Sequence, residues 1–248
     1  MSYDDLQLSA STLAALLEFK QEEAARAEQF EALSRQAQAE YEIINKVTID
    51  HFQEDWQLSQ FWYADETAKT LGRALLEGAD ENTVIVIASA PSVYAAIKSF
   101  PAHEIPTDHI YLLEHDKRFE LLAGVGKFFY YDYKLPNDIP EFLRNKCHRL
   151  LIDPPFLEED CQIKSAQTAF NLLVKDKHEL TKTGDQKFKW ISSTGERMQD
   201  IIKSTYPDCR VTDFYPQHKN CLGNEFRCYT NFECKYWKFE SNEKPEKS

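Results

Sequence analysis

The chain has 248 residues, of which 42% are hydrophobic and 28% charged, and its formal net charge is −12. This composition is ordinary for a soluble globular protein, and no apolar run approaches the roughly 20 residues that a membrane-spanning helix needs. The negative net charge argues against stable binding to a nucleic-acid backbone. It is explained either by solubility alone or by a basic protein partner. The first ten residues lack the basic and apolar parts of a signal peptide, so we expect a cytoplasmic protein.

The amino-terminal segment predicts a helical arm. Residues 9–46 contain no Gly or Pro, and their apolar side chains recur at spacings of three and four, as on one face of a helix. Two interpretations stay open, a docking arm and a helix packed on its own domain. We expect the arm over residues 1–50, the main domain over 51–240 and a disordered tail over 241–248. Because no other apolar seam is evident, the sequence favours a monomer.

A cluster of aromatic residues comes next, in the stretch EDWQLSQFWYADETA (54–68). Asp65 is the expected N-cap of a helix that follows, with an apolar stripe on one face. Aromatic residues this close together usually form core or the wall of a pocket. For Trp62 and Tyr63 we favour core packing over direct contact with a substrate.

From residue 84 onward, apolar runs alternate with helical patterns, which predicts an α/β fold with a mainly parallel sheet. The last two strands are joined by the nine residues QHKNCLGNE, which fit no helix, so we expect an antiparallel hairpin at one edge. The predicted helices cover 92–100, 158–182 and 195–206. The predicted strands cover 84–89, 109–116, 127–133, 148–156, 187–194, 210–216 and 225–233.

Ligands of open α/β sheets bind outside the carboxyl ends of the strands. The first strand is followed by Ser89, Ala90, Pro91 and Ser92, a turn without the glycines that a dinucleotide's phosphates require. The next three strands end in carboxylates, and an acid at the end of the second strand can accept both hydroxyls of a ribose. The pattern therefore predicts a nucleoside ligand without phosphates. The carboxylates are Glu114, Asp116, Asp132 and Asp153.

The six cysteines form no C-x-x-C pair and are expected to be reduced thiols. His218, Cys221, Cys228 and Cys234 could be combined into a zinc site, but their spacing fits no common ligand pattern. We therefore expect no metal.

The fourth strand ends in DPPF (153–156), which resembles the [DNS]-P-P-[FYW] motif of enzymes that methylate a planar or amine nitrogen. The chain also carries QLSQFWYADETA, SAPSVY, LLEHDKRF, FFYYDY, DPPFLEEDC and GNEFRCYTNFE, in this order. Together they resemble the eukaryotic lysine methyltransferases of translation elongation factor 1-alpha, once labelled adenine-specific DNA methyltransferases. The resemblance covers residues 54–234. It implies a Rossmann-like, seven-stranded class I fold and S-adenosylmethionine as the cofactor.

The same resemblance implies roles for individual residues. Ser89, Ala90, Pro91 and Ser92 would lie beside the amino-acid part of the cofactor, Glu114 at its ribose and Asp132 near its adenine. The catalytic residues would be Asp153, Pro154, Pro155 and Phe156, which hold the target nitrogen. Outside the resemblance, Asp116 and Asp153 are further candidates for the cofactor site, and Trp62, Tyr63 and Asn224 are candidates for contact with the substrate beside Phe156.

The residue types of DPPF suit a lysine target on chemical grounds. A lysine amine has a reference pKa of about 10.4 and must lose a proton before it attacks a methyl group. Asp153 and the carbonyl of Pro154 can accept its N–H bonds and so aim the lone pair. The face of Phe156 favours an amine that gains positive charge.

Three other interpretations stay open at this point. The same motif could hold the exocyclic amine of adenine in a nucleic acid, the domain could be an idle methyltransferase-like binding module, or DPPF could merely cap a strand. An acidic chain and intact residues at positions 114 and 153 favour methylation of a protein.

Overall fold

The computed structural model describes residues 28, 48–52, 54, 60–220 and 223–240. Apart from Glu28, which is helical, and Thr48, Ile49 and Asp50, the predicted arm at 1–50 lies outside these residues, as does the predicted tail at 241–248. The predicted domain boundaries therefore stay predictions. No helix in the described part of the chain is long and apolar enough to cross a lipid bilayer.

The described chain forms a sheet of seven strands in the order β3-β2-β1-β4-β5-β7-β6. Strands β1 to β5 pair in parallel, whereas β7 runs antiparallel to both β5 and β6. The prediction of a mainly parallel sheet with an antiparallel carboxyl-terminal hairpin is confirmed. The strands are β1 Ile85–Ala88, β2 Ile110–Glu114, β3 Phe128–Tyr130, β4 Arg149–Ile152, β5 Lys189–Gly195, β6 Arg210–Val211 and β7 Phe226–Thr230.

Helices cover both faces of the sheet, because its central strands carry apolar side chains on both sides. In β1, Ile85 and Ile87 pack into the core with α1 and α2. Val86 and Ala88 pack into the opposite core with α4 and α5. The helices are α1 Asp65–Leu76, α2 Pro91–Lys98, α3 Glu120–Ala123, α4 Glu159–Leu172 and α5 Gln199–Thr205.

Two predicted helix limits are wrong. The helix expected over 158–182 ends at Leu172, because Leu173 has extended backbone angles and pairs with Cys147 instead. Asp65 is not an N-cap; it is the first residue of α1, and its carboxylate lies 3.3 Å from the ammonium group of Lys219. In each case the deciding contact is with a residue far away in the sequence, Cys147 for Leu173 and Lys219 for Asp65, and local sequence does not indicate it.

The order in which strands are added to the sheet reverses between β1 and β4, which are parallel neighbours. From β1 the chain builds outward through β2 and β3, and from β4 it builds toward the other edge. The helices that follow β1 and β4 therefore lie on opposite faces of the sheet and leave a crevice at the carboxyl ends of these strands, the place where ligands bind in open α/β sheets.

Candidate active site

A cavity of about 580 Å³ opens at the carboxyl ends of β1, β2 and β4. Its size lies within the range of small-molecule sites. The predicted site residues line it, except Asp116 and Tyr63. Those at its wall are Trp62, Ser89, Ala90, Pro91, Ser92, Glu114, Asp132, Asp153, Pro154, Pro155, Phe156 and Asn224.

Residues 89–92, the cofactor turn, connect β1 to α2 through a left-handed residue. Ser89 has φ +58°, a conformation in which glycine is usual, and its N–H donates to the carbonyl of Leu113 at 2.9 Å. Pro91 is the first residue of α2, where its missing N–H costs nothing. The turn is thus tight although it contains no glycine.

Glu114 ends β2 and is buried at the cavity wall. Its Oε1 accepts hydrogen bonds from the N–H groups of His115 at 2.8 Å and Asp116 at 3.1 Å. Burial raises the pKa of Glu114 to about 7, and the negative charge of Asp116 acts in the same direction. A carboxylate held in this way at the second strand can accept paired hydroxyls, as a ribose would present them.

Asp116, which was predicted to bind the cofactor, lies outside the cavity wall. Its carboxylate pairs with the guanidinium of Arg118 at 2.6 Å and accepts a hydrogen bond from Gln60 at 3.2 Å. Gln60 lines the cavity, whereas Asp116 does not. Asp116 therefore supports the wall from behind, and this placement does not favour direct contact with a cofactor.

Asp132 follows β3 and stands at the cavity wall, partly exposed. Its Oδ1 accepts the backbone N–H of Lys134 at 2.9 Å. Asp132, Glu114 and Asp153, at the ends of β3, β2 and β4, thus line one cavity, as the sequence pattern predicted.

Asp153 is the first residue after β4, and its N–H donates to the carbonyl of Ala88 at 3.0 Å. Its Oδ2 accepts a hydrogen bond of 2.7 Å from the hydroxyl of Tyr63. Burial raises the pKa of Asp153 to about 7; the charge of Glu114 raises it as well, and the bond from Tyr63 lowers it. At neutral pH the carboxyl therefore lies close to its titration midpoint.

Residues 153–156, the target loop, are held by α4. The carbonyl of Phe156 accepts a hydrogen bond of 2.9 Å from the side chain of Gln162, which is buried and also donates to Thr194 at 3.1 Å. The ring of Phe156 meets that of Tyr133 edge to face, with centroids 5.8 Å apart. The loop thus presents an acid, two prolines and an aromatic ring in a fixed arrangement.

Sequence reasoning missed several residues at the wall, above all those from the loop before β7. His218 packs between Tyr63 and Phe226, with ring centroids at 4.7 Å and 4.4 Å. The stretch QHKNCLGNE fits no helical pattern, which indicates a loop. The pattern does not indicate that this loop lies at the cavity. The missed lining residues are Gln60, Phe61, His115, Tyr131, Tyr133, Lys134, Leu157, Glu158, Arg197, His218, Gly223 and Phe226.

The described residues give no support to the zinc site that His218, Cys221, Cys228 and Cys234 could form. Within them, no three His, Cys, Asp or Glu side chains are grouped as they would be around a metal ion. His218 is packed between aromatic rings, and Cys221 lies outside the described residues. Burial lowers the pKa of His218 to about 4, so this ring is neutral at neutral pH.

The donor set of the cavity fits S-adenosylmethionine. A buried carboxylate ends β2 where a ribose would bind, and the glycine-free turn has no cradle for phosphates, which this cofactor lacks. Acids and aromatic rings at the remaining wall suit a cofactor and a target amine that both carry positive charge.

Comparisons with known proteins agree with this geometry. The family model described as "Probable N6-adenine methyltransferase" matches residues 54–234. Protein-lysine N-methyltransferase EFM5 of Saccharomyces cerevisiae is 57% identical over 235 residues, covering 94% of this chain and 95% of that protein. EEF1A lysine methyltransferase 1 of Homo sapiens is 33% identical over 228 residues, covering 92% of each chain.

Solved structures show a related fold. The branched-chain polyamine synthase of Thermus thermophilus, in complex with N4-aminopropylspermidine and 5'-methylthioadenosine, aligns with a TM-score of 0.50 and 10% identity. The alignment covers 72% of this chain and 58% of that one, and at this identity it concerns the fold alone. With the sheet order and the family match, it confirms a Rossmann-like class I fold. The chain therefore belongs to the family of S-adenosylmethionine-dependent protein-lysine methyltransferases that includes the two relatives named above.

Proposed function

We propose that this protein-lysine methyltransferase acts on translation elongation factor 1-alpha, and that the target lysine enters the cavity at residues 153–156. The observation that carries the proposal is that the target loop and Glu114 line one cavity. A ribose bound at Glu114 and an amine bound at Asp153 would then share that space, as methyl transfer requires. We further propose that the enzyme works in the cytoplasm, where translation takes place.

The named substrate rests on relatives. A protein that is 33% identical to this chain over most of its length bears the name EEF1A lysine methyltransferase 1. The formal net charge of −12 favours a basic protein partner over a nucleic acid. Residues Trp62 and Asn224 stand at the wall beside the target loop and are proposed to contact the substrate protein.

The target amine must be neutral when it attacks. Burial in the cavity lowers the pKa of a lysine ammonium group, whereas the carboxylates at the wall raise it, so the proton leaves to water before the attack. The carboxylate of Asp153 and the carbonyl of Pro154 accept the two remaining N–H bonds and leave the lone pair directed into the cavity.

Glu114 and residues 89–92 would hold S-adenosylmethionine, which would supply a methyl group on a positively charged sulfur whose leaving group is a neutral thioether. As the amine forms its new bond to carbon, positive charge grows on nitrogen, and the carboxylate of Asp153 offsets it. The ring of Phe156 stabilises the same charge through its π face. Pro154 and Pro155 stiffen the loop, so these groups are in place before the substrate binds.

The test is a methyl-transfer assay with S-adenosylmethionine that carries a tritiated methyl group. Purified elongation factor 1-alpha, single-stranded oligonucleotides and double-stranded oligonucleotides are offered separately to wild type, Asp153→Ala and Asp208→Ala. Asp208 is the matched control, since its exposed carboxylate pairs only with Lys177 among the contacts of the described residues. Label on the protein that Asp153→Ala abolishes and Asp208→Ala retains would support the proposal, and peptide mass spectrometry would give the site.

Label on an oligonucleotide but not on the protein would refute the proposal. It would favour an adenine amine as the target, which the description of the matched family model also names. Cofactor binding without any label on elongation factor 1-alpha would show that this factor is not the substrate under these conditions.

A further inference from the structure

Tyr63 lies next to the candidate active site without lining the cavity. Its side chain is 1% exposed, and its hydroxyl donates to Oδ2 of Asp153 at 2.7 Å. Asp153 itself lines the cavity. The predicted role of Tyr63 as a residue that contacts the substrate therefore gives way to an indirect one.

We propose that Tyr63 is a positioning residue, whose hydroxyl occupies Oδ2 of Asp153 and so turns Oδ1 toward the target amine. The proposal rests on the function proposed above, in which Asp153 holds that amine. A carboxylate with both oxygens free can rotate about its Cβ–Cγ bond, because this torsion is broad and roughly two-fold. One short hydrogen bond to a buried donor removes that freedom and leaves one oxygen for the substrate.

The backbone of Tyr63 is held from two directions. Its N–H donates to the hydroxyl of Ser92, in the cofactor turn, at 3.4 Å. Its neighbours bond the loop before β7: Trp62 accepts from the N–H of Lys219 at 2.8 Å, and Ala64 donates to the carbonyl of Gln217 at 2.8 Å. The cofactor turn and the hairpin loop together fix where the hydroxyl points.

The ring of Tyr63 is fixed as well. It lies 4.7 Å from the ring of His218, with 31° between the two planes, and His218 is in turn packed on Phe226. Because the ring cannot turn away, Asp153 is oriented before any substrate arrives, and no binding energy is spent on ordering it.

The hydroxyl of Tyr63 stays protonated and so remains a donor. Its burial raises its pKa well above the ordinary value, and the charge of Asp153 adds to this. Burial also raises the pKa of two nearby thiols, Cys161 to about 11 and Cys228 to about 12. The two carboxyl groups at this hydrogen bond and beside it, Asp153 and Glu114, each have a pKa raised by burial to about 7.

The test compares Tyr63→Phe with Tyr94→Phe. Tyr94 is the matched control because it is also buried and its hydroxyl also makes one hydrogen bond, to the carbonyl of Ala123 at 3.4 Å, away from the cavity. In Tyr63→Phe we expect kcat to fall roughly 10- to 100-fold while the dissociation constant for S-adenosylmethionine changes less than about threefold. Tyr94→Phe should retain kcat within about twofold.

The pH profile separates positioning from a structural effect. Removing a hydrogen bond that favours the carboxylate raises the pKa of Asp153, so the acid limb of kcat should move to higher pH in Tyr63→Phe alone. The deficit in kcat should accordingly be larger at pH 6.5 than at pH 8.5. Wild-type kcat in Tyr63→Phe, an equal loss in both variants, or an unmoved acid limb would each overturn the proposal.

A second measurement needs no protein substrate. The carboxyl carbon of Asp153 is followed by 13C NMR during a pH titration, and its signal is assigned by its absence in Asp153→Asn. An upward move of the midpoint in Tyr63→Phe supports the proposal, and an unchanged midpoint refutes it. If wild type fails to methylate elongation factor 1-alpha, the proposed function fails, while this titration still decides on the bond between Tyr63 and Asp153.

Discussion

The hydroxyl of Tyr63 donates to Asp153 at 2.7 Å across 90 residues of sequence. The bond joins the aromatic stretch before α1 to the loop after β4, so one of the two carboxyl oxygens of Asp153 is occupied by the protein itself. Whatever binds Asp153 from the cavity does so at a carboxylate with a fixed orientation. The following predictions concern this acid and the groups around it.

Asp153→Asn should lose activity and gain stability. The amide keeps the shape and an acceptor oxygen, but it cannot offset the charge that grows on the target amine, so we expect kcat to fall about 100-fold or more. A buried charge is removed at the same time, and the melting temperature should rise. Steady-state kinetics and thermal denaturation measure the two effects.

Asp208→Asn serves as the control for that pair of measurements. Its carboxylate is half exposed and pairs with Lys177 at the surface, so kcat and melting temperature should both stay near wild type. A fall of kcat in Asp208→Asn equal to that in Asp153→Asn would argue against a specific role for the target loop.

Cofactor affinity should depend on pH through Glu114. Burial raises its pKa to about 7, and the ionised form is the one that accepts two ribose hydroxyls. The dissociation constant for S-adenosylmethionine should therefore increase as the pH falls from 8 to 6, about tenfold for each unit below the pKa. Glu114→Gln should bind weakly and with little dependence on pH. Titration calorimetry at three pH values is sufficient, and a flat profile in wild type would contradict the assignment.

Phe156→Leu tests the aromatic face of the target loop. Leucine keeps an apolar side chain but has no π surface, so we expect kcat/KM for the protein substrate to fall about 2- to 30-fold, with unchanged cofactor affinity. Phe170→Leu, on the outer side of α4, is the control, since Phe170 is 42% exposed and outside the cavity wall. Equal kinetics for Phe156→Leu and wild type would show that the ring of Phe156 does not take part in the reaction.

Ser89→Val should damage both stability and cofactor binding. At φ +58° a β-branched residue is strained, and we expect a loss of about 2 kcal/mol, whereas Ser89→Gly should change stability by less than about 1 kcal/mol. Asn145 has φ +55° away from the cavity, so Asn145→Val should be destabilised without loss of cofactor affinity. Chemical denaturation and calorimetry distinguish the two positions.

Local sequence was enough to place the strands along the chain. The runs that predicted β1, β2 and β4 are apolar on both faces because these strands are central in the sheet, and acids at their ends marked the ligand edge. Strand β6 was predicted over 210–216 but spans only Arg210–Val211, since Thr212 and Asp213 pair with the segment at Lys238 and Phe239 instead. Periodicity reports burial, and burial continues beyond the end of that strand.

The contacts that complete the site could not be read in the same way. Gln60 and His218 reach the wall from opposite ends of the domain, and neither belongs to a motif with a known spacing. The exclusion of Asp116 from the wall depends on Arg118, whose guanidinium takes the carboxylate. Tertiary packing decides which partner each of these side chains contacts, and the residues next to them in the sequence do not indicate that partner.

The position of β7 has a consequence for how the enzyme is made. Although it is the last strand among the described residues, it lies between β5 and β6. Until residues 226–230 have emerged from the ribosome, β5 has an unpaired edge, all of it apolar or buried in the finished protein, and β6 has no neighbour. Exposed edges of this kind invite association with other chains. Because Phe226 also packs on His218 at the cavity wall, the wall is incomplete until β7 has paired with β5.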